Sequence, residues 1–206
     1  MKFILKMKFF ITHYTPLKER KEHIIDQLKK HNITDFEFIE CYDRDSLTET
    51  DIKKFTRITL GEISLFLKHV EIFKKTINDI IIVFEDDAIL IDNFNEKLSL
   101  LLDQLQTIEW DIIFSGGCCG IHASNITEDK LFYKSLTSRG TCMYILNVST
   151  PNKLLQTFNN SHIIPEAIDH WFNSINKDNS LKYYLSEPTL VQQGSENNIF
   201  KSSVRN

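Results

Sequence analysis

Residues 80–90 read Ile80-Ile81-Ile82-Val83-Phe84-Glu85-Asp86-Asp87-Ala88-Ile89-Leu90, an unbroken apolar run that stops in three consecutive carboxylates. A β-branched run of this length predicts a strand of a parallel sheet covered on both faces. Three acids at its end are tolerated only where they are solvated or paired, because a buried unpaired charge is costly. A divalent cation is one such partner. If the strand geometry continues past Phe84, Glu85 and Asp87 share one face and Asp86 takes the other. Mg²⁺ and Mn²⁺ prefer oxygen ligands and bind through one or two carboxylates plus a substrate's phosphates. The carboxyl ends of strands are also where open α/β sheets hold ligands. A surface turn with an acidic start to the next element fits the same residues, so this stretch alone leaves site and turn both open.

The flanking sequence alternates strand and helix patterns. Lys8 to His13 predicts a first strand, and Leu17 to Lys30 an amphipathic helix with Ile24, Ile25 and Leu28 on its apolar side. Asp35 to Glu40 alternates as a second strand, Tyr42 to Thr50 is a polar loop, and Glu49 to Phe55 a short helix. A longer helix is expected from Leu60 to Ile77, then the strand at Ile80, then a helix from Asp92, as N-cap, to Leu105. Asp111 to Ser115 and Arg139 to Asn147 read as strands, and Gly116-Gly117 as a turn or a close approach to a ligand. Thr150-Pro151 reads as the N-cap and first-turn proline of a helix, Pro165 to Ser174 as a further helix, and Lys182 to Leu185 as a last strand. This order predicts a single α/β domain over residues 1–206 with a mainly parallel sheet flanked by helices. Met1–Lys6 is expected to be a dispensable extension and residues 193–206 a polar tail.

Bulk properties agree with that class. The chain has 206 residues, 42% hydrophobic and 25% charged, enough to bury a core in one domain. Its formal net charge of −4 argues against nucleic acid as the main partner, since phosphate binding leans on clustered Lys and Arg. Lys6 and Lys8 interrupt the apolar opening, so no signal peptide is read there, and no segment approaches a membrane span. The expected compartment is therefore cytoplasmic. The four cysteines, Cys41, Cys118, Cys119 and Cys142, contain no C-x-x-C pair, which favours free thiols over zinc.

Taken in order, several segments resemble glycosyltransferase family 25, which includes bacterial lipooligosaccharide and procollagen galactosyltransferases. They are Phe10-Ile11-Thr12-His13 with Leu17-Lys18-Glu19-Arg20, Phe36 to Asp43, Thr59 to His69, Ile82 to Ala88, Trp110 to Ile113, Gly140 to Leu146, Ile164 to Asp169 and Pro188 to Gln192. The resemblance implies a GT-A type nucleotide-sugar domain and a Mn²⁺- or Mg²⁺-assisted, inverting transfer of galactose or glucose from a UDP-sugar. The acceptor would be a hydroxyl on a glycan, a lipooligosaccharide or a collagen-like protein. Under it Asp87 is the direct metal ligand, with Glu85 as a second. Glu85 and Asp86 orient the ribose, the sugar or metal-bound water. Thr12 lies where such folds hold the uracil, Arg20 faces the base or phosphates, Asp43 the ribose, and His69 shapes the donor pocket. Asp169, with Glu166 as second candidate, is the base that takes the acceptor's proton.

Two departures stand out. Lys68 occupies a position where the family usually has Ser, and no His follows His170 to act as a late metal ligand. Water, donor or His170 itself would then complete the metal shell. A non-catalytic nucleotide-sugar-binding or interaction domain of the same fold is the alternative. Mg²⁺-dependent phosphoryl transfer is more distant, because Ala88-Ile89-Leu90 offers no hydroxyl partner for an aspartyl nucleophile.

Overall fold

The computed structural model describes residues 6–75 and 78–203. The chain runs β1 (Met7–Thr12), α1 (Lys18–Lys30), β2 (Phe36–Ile39), a 3₁₀ turn at Arg44–Ser46, α2 (Glu49–Ile52), α3 (Leu60–Phe73), β3 (Ile80–Glu85) and β4 (Ala88–Leu90). It continues through α4 (Phe94–Leu105), β5 (Ile112–Phe114), β6 (Gly116–Gly117), β7 (Phe132–Ser135) and β8 (Met143–Leu146). Last come α5 (Thr150–Asn160), α6 (Ile168–Ile175), β9 (Tyr183–Ser186) and β10 (Val191–Gln193).

Seven strands form one sheet in the order β2-β1-β3-β8-β5-β9-β7, and β4-β10-β6 form a second, smaller one. In the large sheet β2, β1, β3, β5 and β9 point one way, and only β8 and β7 run against them. The expected mainly parallel α/β architecture is therefore present. β3 lies inside that sheet, which explains its uninterrupted apolar run. Ile81 and Val83 pack with Phe66, Val70 and Phe73 of α3 and Phe172 of α6. Ile80, Ile82 and Phe84 pack on the opposite side with Ile24 and Leu28 of α1 and Leu98 and Leu101 of α4. α3 starts at a capping box: Thr59 Oγ1 accepts from the Glu62 N–H (3.2 Å), and the Glu62 carboxylate accepts from the Thr59 N–H (2.7 Å).

The structure corrects several local expectations. Asp86 and Asp87 form a tight turn, so strand geometry does not continue past Glu85, and the chain re-enters as β4 of the small sheet. Asp92 does not cap α4. Its carboxylate pairs with Lys30 (2.7 Å), and Asn93 precedes the helix without a side-chain cap. Thr150 lies inside α5, where its hydroxyl donates to the Asp111 carbonyl (3.0 Å). α3 ends at Phe73, with Lys74 at its cap; Thr76 and Ile77, expected in that helix, lie outside the described residues. β7 and β10 were not expected: β7 is an edge strand pairing only with β9, and β10 needs β4 and β6 from distant sequence. Among the described residues, no helix is long and apolar enough to cross a membrane.

Candidate donor and cation site

Parallel register between β1 and β3 sets Thr12 opposite Glu85, so two neighbouring strand ends deliver Thr12, His13 and the acid triplet to one place. Asp86 is held between two partners. Its carboxylate meets His13 Nδ1 at 2.7 Å and accepts from Arg20 Nη1 at 2.9 Å. Arg20 belongs to the first turn of α1 and is buried against the triplet, 3.9 Å from Asp87 Oδ2. It is not on a solvated helix face.

Asp87 is only 1% exposed. Its Oδ2 accepts from the Ser195 N–H (3.1 Å) and its carbonyl from the Gly194 N–H (2.9 Å). A Cβ at Gly194 would sit 2.7 Å from that carbonyl, so glycine permits the approach. The other carboxylate oxygen, Oδ1, is buried without a hydrogen-bond partner among the described residues. Glu85 is half-buried and accepts from the Thr141 hydroxyl at 2.5 Å. Burial, followed by the charge of Asp87, pushes its carboxyl up to about 8, against the pull of the Thr141 bond. Two carboxylates thus crowd each other while one buried oxygen lacks a donor. Such a donor set fits a hard divalent cation, which supplies the missing positive charge.

Glu85 borders two cavities. One, of about 40 Å³, is lined by Thr12, His13, Arg20, Lys68, Glu85 and Asp86 among others. The second, of about 240 Å³, brings Glu85 together with Thr141, Asp169, His170, Cys118 and Glu196. Ser203, the last described residue, lines the smaller cavity, and the residues before it pack against its Arg20 wall. Arg20 Nη2 donates to the Lys201 carbonyl (2.6 Å) and Arg44 Nη1 to the Ser203 carbonyl (2.9 Å), while the Phe200 ring lies 5.2 Å from the Arg20 guanidinium. A polar tail alone does not anticipate these contacts. A larger hollow of about 590 Å³, near Met7, Ile80 and Leu98, lies at the amino ends of β1 and β3 and touches none of the triplet.

Other candidate residues fall in different surroundings. Asp43 follows β2 and accepts from Lys68 Nζ (2.7 Å), which also donates to the Cys41 carbonyl (2.6 Å). Burial alone would raise the Asp43 carboxyl, but the Lys68 and Thr15 hydrogen bonds hold it below its ordinary value. Lys68, 2% exposed, is therefore the buried counter-charge of Asp43 and a wall of the smaller cavity. Asp169, on the first turn of α6, lines the larger cavity, and its Oδ1 accepts from the His170 N–H (2.9 Å). Glu166 is half-buried just before that helix and is absent from the walls of both cavities. Sequence reasoning missed His13, Lys68 and Thr141 as site residues. The place of His13 at the end of the first strand and the departure from the family pattern at Lys68 are the signals that could have found two of them.

His69 is buried in the core, with Nδ1 2.8 Å from the Tyr144 hydroxyl, and lines neither cavity. Burial pulls its pKa down to about 3. The folded value lies below the ordinary 6.5, so the unfolded chain binds the proton first and stability falls as pH drops from about 6.5 towards 3. Urea unfolding of His69→Phe across this range should show a shallower pH dependence than the parent. An unchanged slope would remove His69 from that account.

The acid triplet stands at the carboxyl end of β3, the place where open α/β sheets hold their ligands. The model of glycosyltransferase family 25 (LPS biosynthesis protein) matches residues 7–172, and the chain belongs to that family. It is also similar to the probable inactive glycosyltransferase 25 family member 3 of Rattus norvegicus. The two are 34% identical over 64 residues, 29% of this chain and 11% of the rat protein. The inactive glycosyltransferase 25 family member 3 of Mus musculus matches with the same identity and coverage. The chain thus spans only a small part of the length of these relatives. Among solved structures, the apo-form glycosyltransferase GlyE of Streptococcus pneumoniae TIGR4 matches with a TM-score of 0.46 and 13% identity, over 87% of this chain and 45% of that one. S. aureus TarS 1-349 in complex with UDP-GlcNAc matches with a TM-score of 0.41 and 10% identity, over 91% and 58%. Similarity at that level is too low to carry an argument about activity.

Proposed function

We propose that this chain is a metal-dependent, inverting glycosyltransferase that moves a hexose, galactose or glucose, from a UDP-sugar to a hydroxyl acceptor on a glycan, a lipooligosaccharide or a collagen-like protein. The observation that carries the reading is the buried Asp87 carboxylate with an unpartnered Oδ1 beside the crowded Glu85, in a family 25 chain. Asp87, with Glu85 as second ligand, would hold Mn²⁺ or Mg²⁺. Held there, such an ion would supply positive charge for the diphosphate leaving group. Asp86, fixed by His13 and Arg20, keeps the triplet turn in place, and Arg20 adds positive charge beside the phosphates. Thr12 would face the uracil and Asp43 the ribose.

Inversion needs a base on the face opposite the leaving group. Asp169 is the better of the two candidates because it shares the larger cavity with Glu85, and Glu166 does not. Asp169→Asn should lower kcat by roughly 10²–10⁴-fold while donor binding survives, and Glu166→Gln should do far less. Loss of donor binding in Asp169→Asn would argue against a base.

A cavity of about 40 Å³ is too small for a nucleotide, since small-molecule pockets typically run to roughly 300 Å³ or more. In this reading the Lys201–Ser203 segment, held by Arg20 and Arg44, lifts to admit the donor. The same cover favours a second reading, a non-catalytic nucleotide-sugar-binding or interaction domain. UDP release from UDP-galactose or UDP-glucose with Mn²⁺ and acceptor glycans separates the two. Turnover supports the enzyme, and donor binding without turnover across the acceptor panel supports the second reading.

A further inference from the structure

Outside the acid triplet, the fold assembles a second donor set of different chemistry. Cys118 and Cys119 follow β6, and Glu196 follows β10, 77 residues beyond Cys119 in the chain. The two thiols and a Glu196 carboxylate oxygen lie within 4.8 Å of one another. The Cys119 N–H donates to both Glu196 oxygens (2.9 and 3.0 Å), which fixes the carboxylate beside the thiols while leaving lone pairs free. Cys119 adopts a left-handed backbone (φ +60°), which non-glycine residues seldom take. Opposite it, Gly140 makes room for the other thiol, because a Cβ there would stand 2.1 Å from Cys118 Sγ. Cys118 is buried and Cys119 and Glu196 are exposed, so an ion has access from solvent.

We infer that Cys118, Cys119 and Glu196 form a binding site for one thiophilic divalent cation of the Zn²⁺ class. Thiolates select Zn²⁺ over Mn²⁺ and Mg²⁺, which prefer oxygen donors. Two sulfurs and one oxygen leave a fourth tetrahedral position for water, as in three-ligand zinc sites. Binding displaces both thiol protons, including the one Cys118 Sγ donates to the Arg139 carbonyl (2.9 Å), so it strengthens as pH rises. All three ligands line the cavity that also holds Glu85 and Asp169, so the ion sits at the mouth of the proposed transfer site without sharing its ligands. The inference stands whether or not the chain transfers sugars.

The test uses the full chain, reduced with a phosphine and stripped of metal, titrated with Cd²⁺ while thiolate-to-cadmium charge-transfer absorption is followed. Zn²⁺ affinity is then read by competition with a chromophoric chelator. One saturating equivalent is expected, with Cys119→Ser and Glu196→Gln each weakening Zn²⁺ by at least about tenfold. Both positions are exposed, and circular dichroism verifies that the variants fold. Cys41→Ser, remote and exposed, and excess Mn²⁺ should leave binding unchanged. Absence of the absorption band overturns the inference. So does Zn²⁺ binding that survives both variants, or that is lost instead in Asp87→Asn.

Discussion

Asp87→Asn is expected to abolish Mn²⁺-dependent UDP release in a protein that still folds, with a loss on the order of 10²–10³-fold or more, the scale seen when one main electrostatic group leaves an active site. The asparagine keeps the shape and can still accept from the Ser195 N–H, which bonds Asp87 Oδ2 (3.1 Å). What it removes is the negative charge and the anionic character of the buried, unpartnered oxygen. Glu85 should respond as well. The charge of Asp87 is the second cause, after burial, of its carboxyl standing near 8, so the neutral amide would let that value fall. Steady-state UDP release and a pH titration of Glu85 by NMR check the two halves. A variant with near-parental activity would remove Asp87 from cation binding.

The largest effect on stability should come from Arg139. Its side chain is 1% exposed and joins three segments. Nη1 donates to Glu187 (2.7 Å) and the Ile121 carbonyl (3.2 Å), and Nη2 donates to the carbonyls of Phe114 (3.1 Å) and Ser186 (2.7 Å) at the ends of β5 and β9. Arg139→Met leaves a buried Glu187 charge and two strand-end carbonyls without that donor. Breaking a buried pair from one side costs roughly 3–5 kcal/mol. The urea midpoint should fall accordingly with the slope unchanged. Adding Glu187→Leu to Arg139→Met should recover part of the loss, because the stranded charge is then gone. A midpoint within error of the parent would contradict this account of the strand ends.

The backbone order was largely legible because each element carries its own period. Both-face burial of Ile80 to Phe84 gives an unbroken run, α1 and α4 bury one stripe each, and α3 is buried over most of its surface. Less visible were features whose partner lies far along the chain. β7 and β10 exist only through β9, β4 and β6. Lys68 reads as an ordinary helix lysine until Asp43 and the Cys41 carbonyl receive it. Arg139 reads as the first residue of a strand until Glu187 arrives from 48 residues on. For the triplet, the sequence supplied three acids at a strand end. It could not say that the chain turns at Asp86, so that His13 and Arg20 hold one acid while Asp87 is driven inward. His69 shows the converse: a histidine in a matching segment that the fold spends on Tyr144 and the core.

Isothermal calorimetry of UDP binding to the folded chain, with and without Mn²⁺, tests the central claim most directly. Binding that requires Mn²⁺ and disappears in Asp87→Asn is the predicted result. UDP affinity that is equal with and without the metal, or no uptake of UDP under either condition, would contradict it.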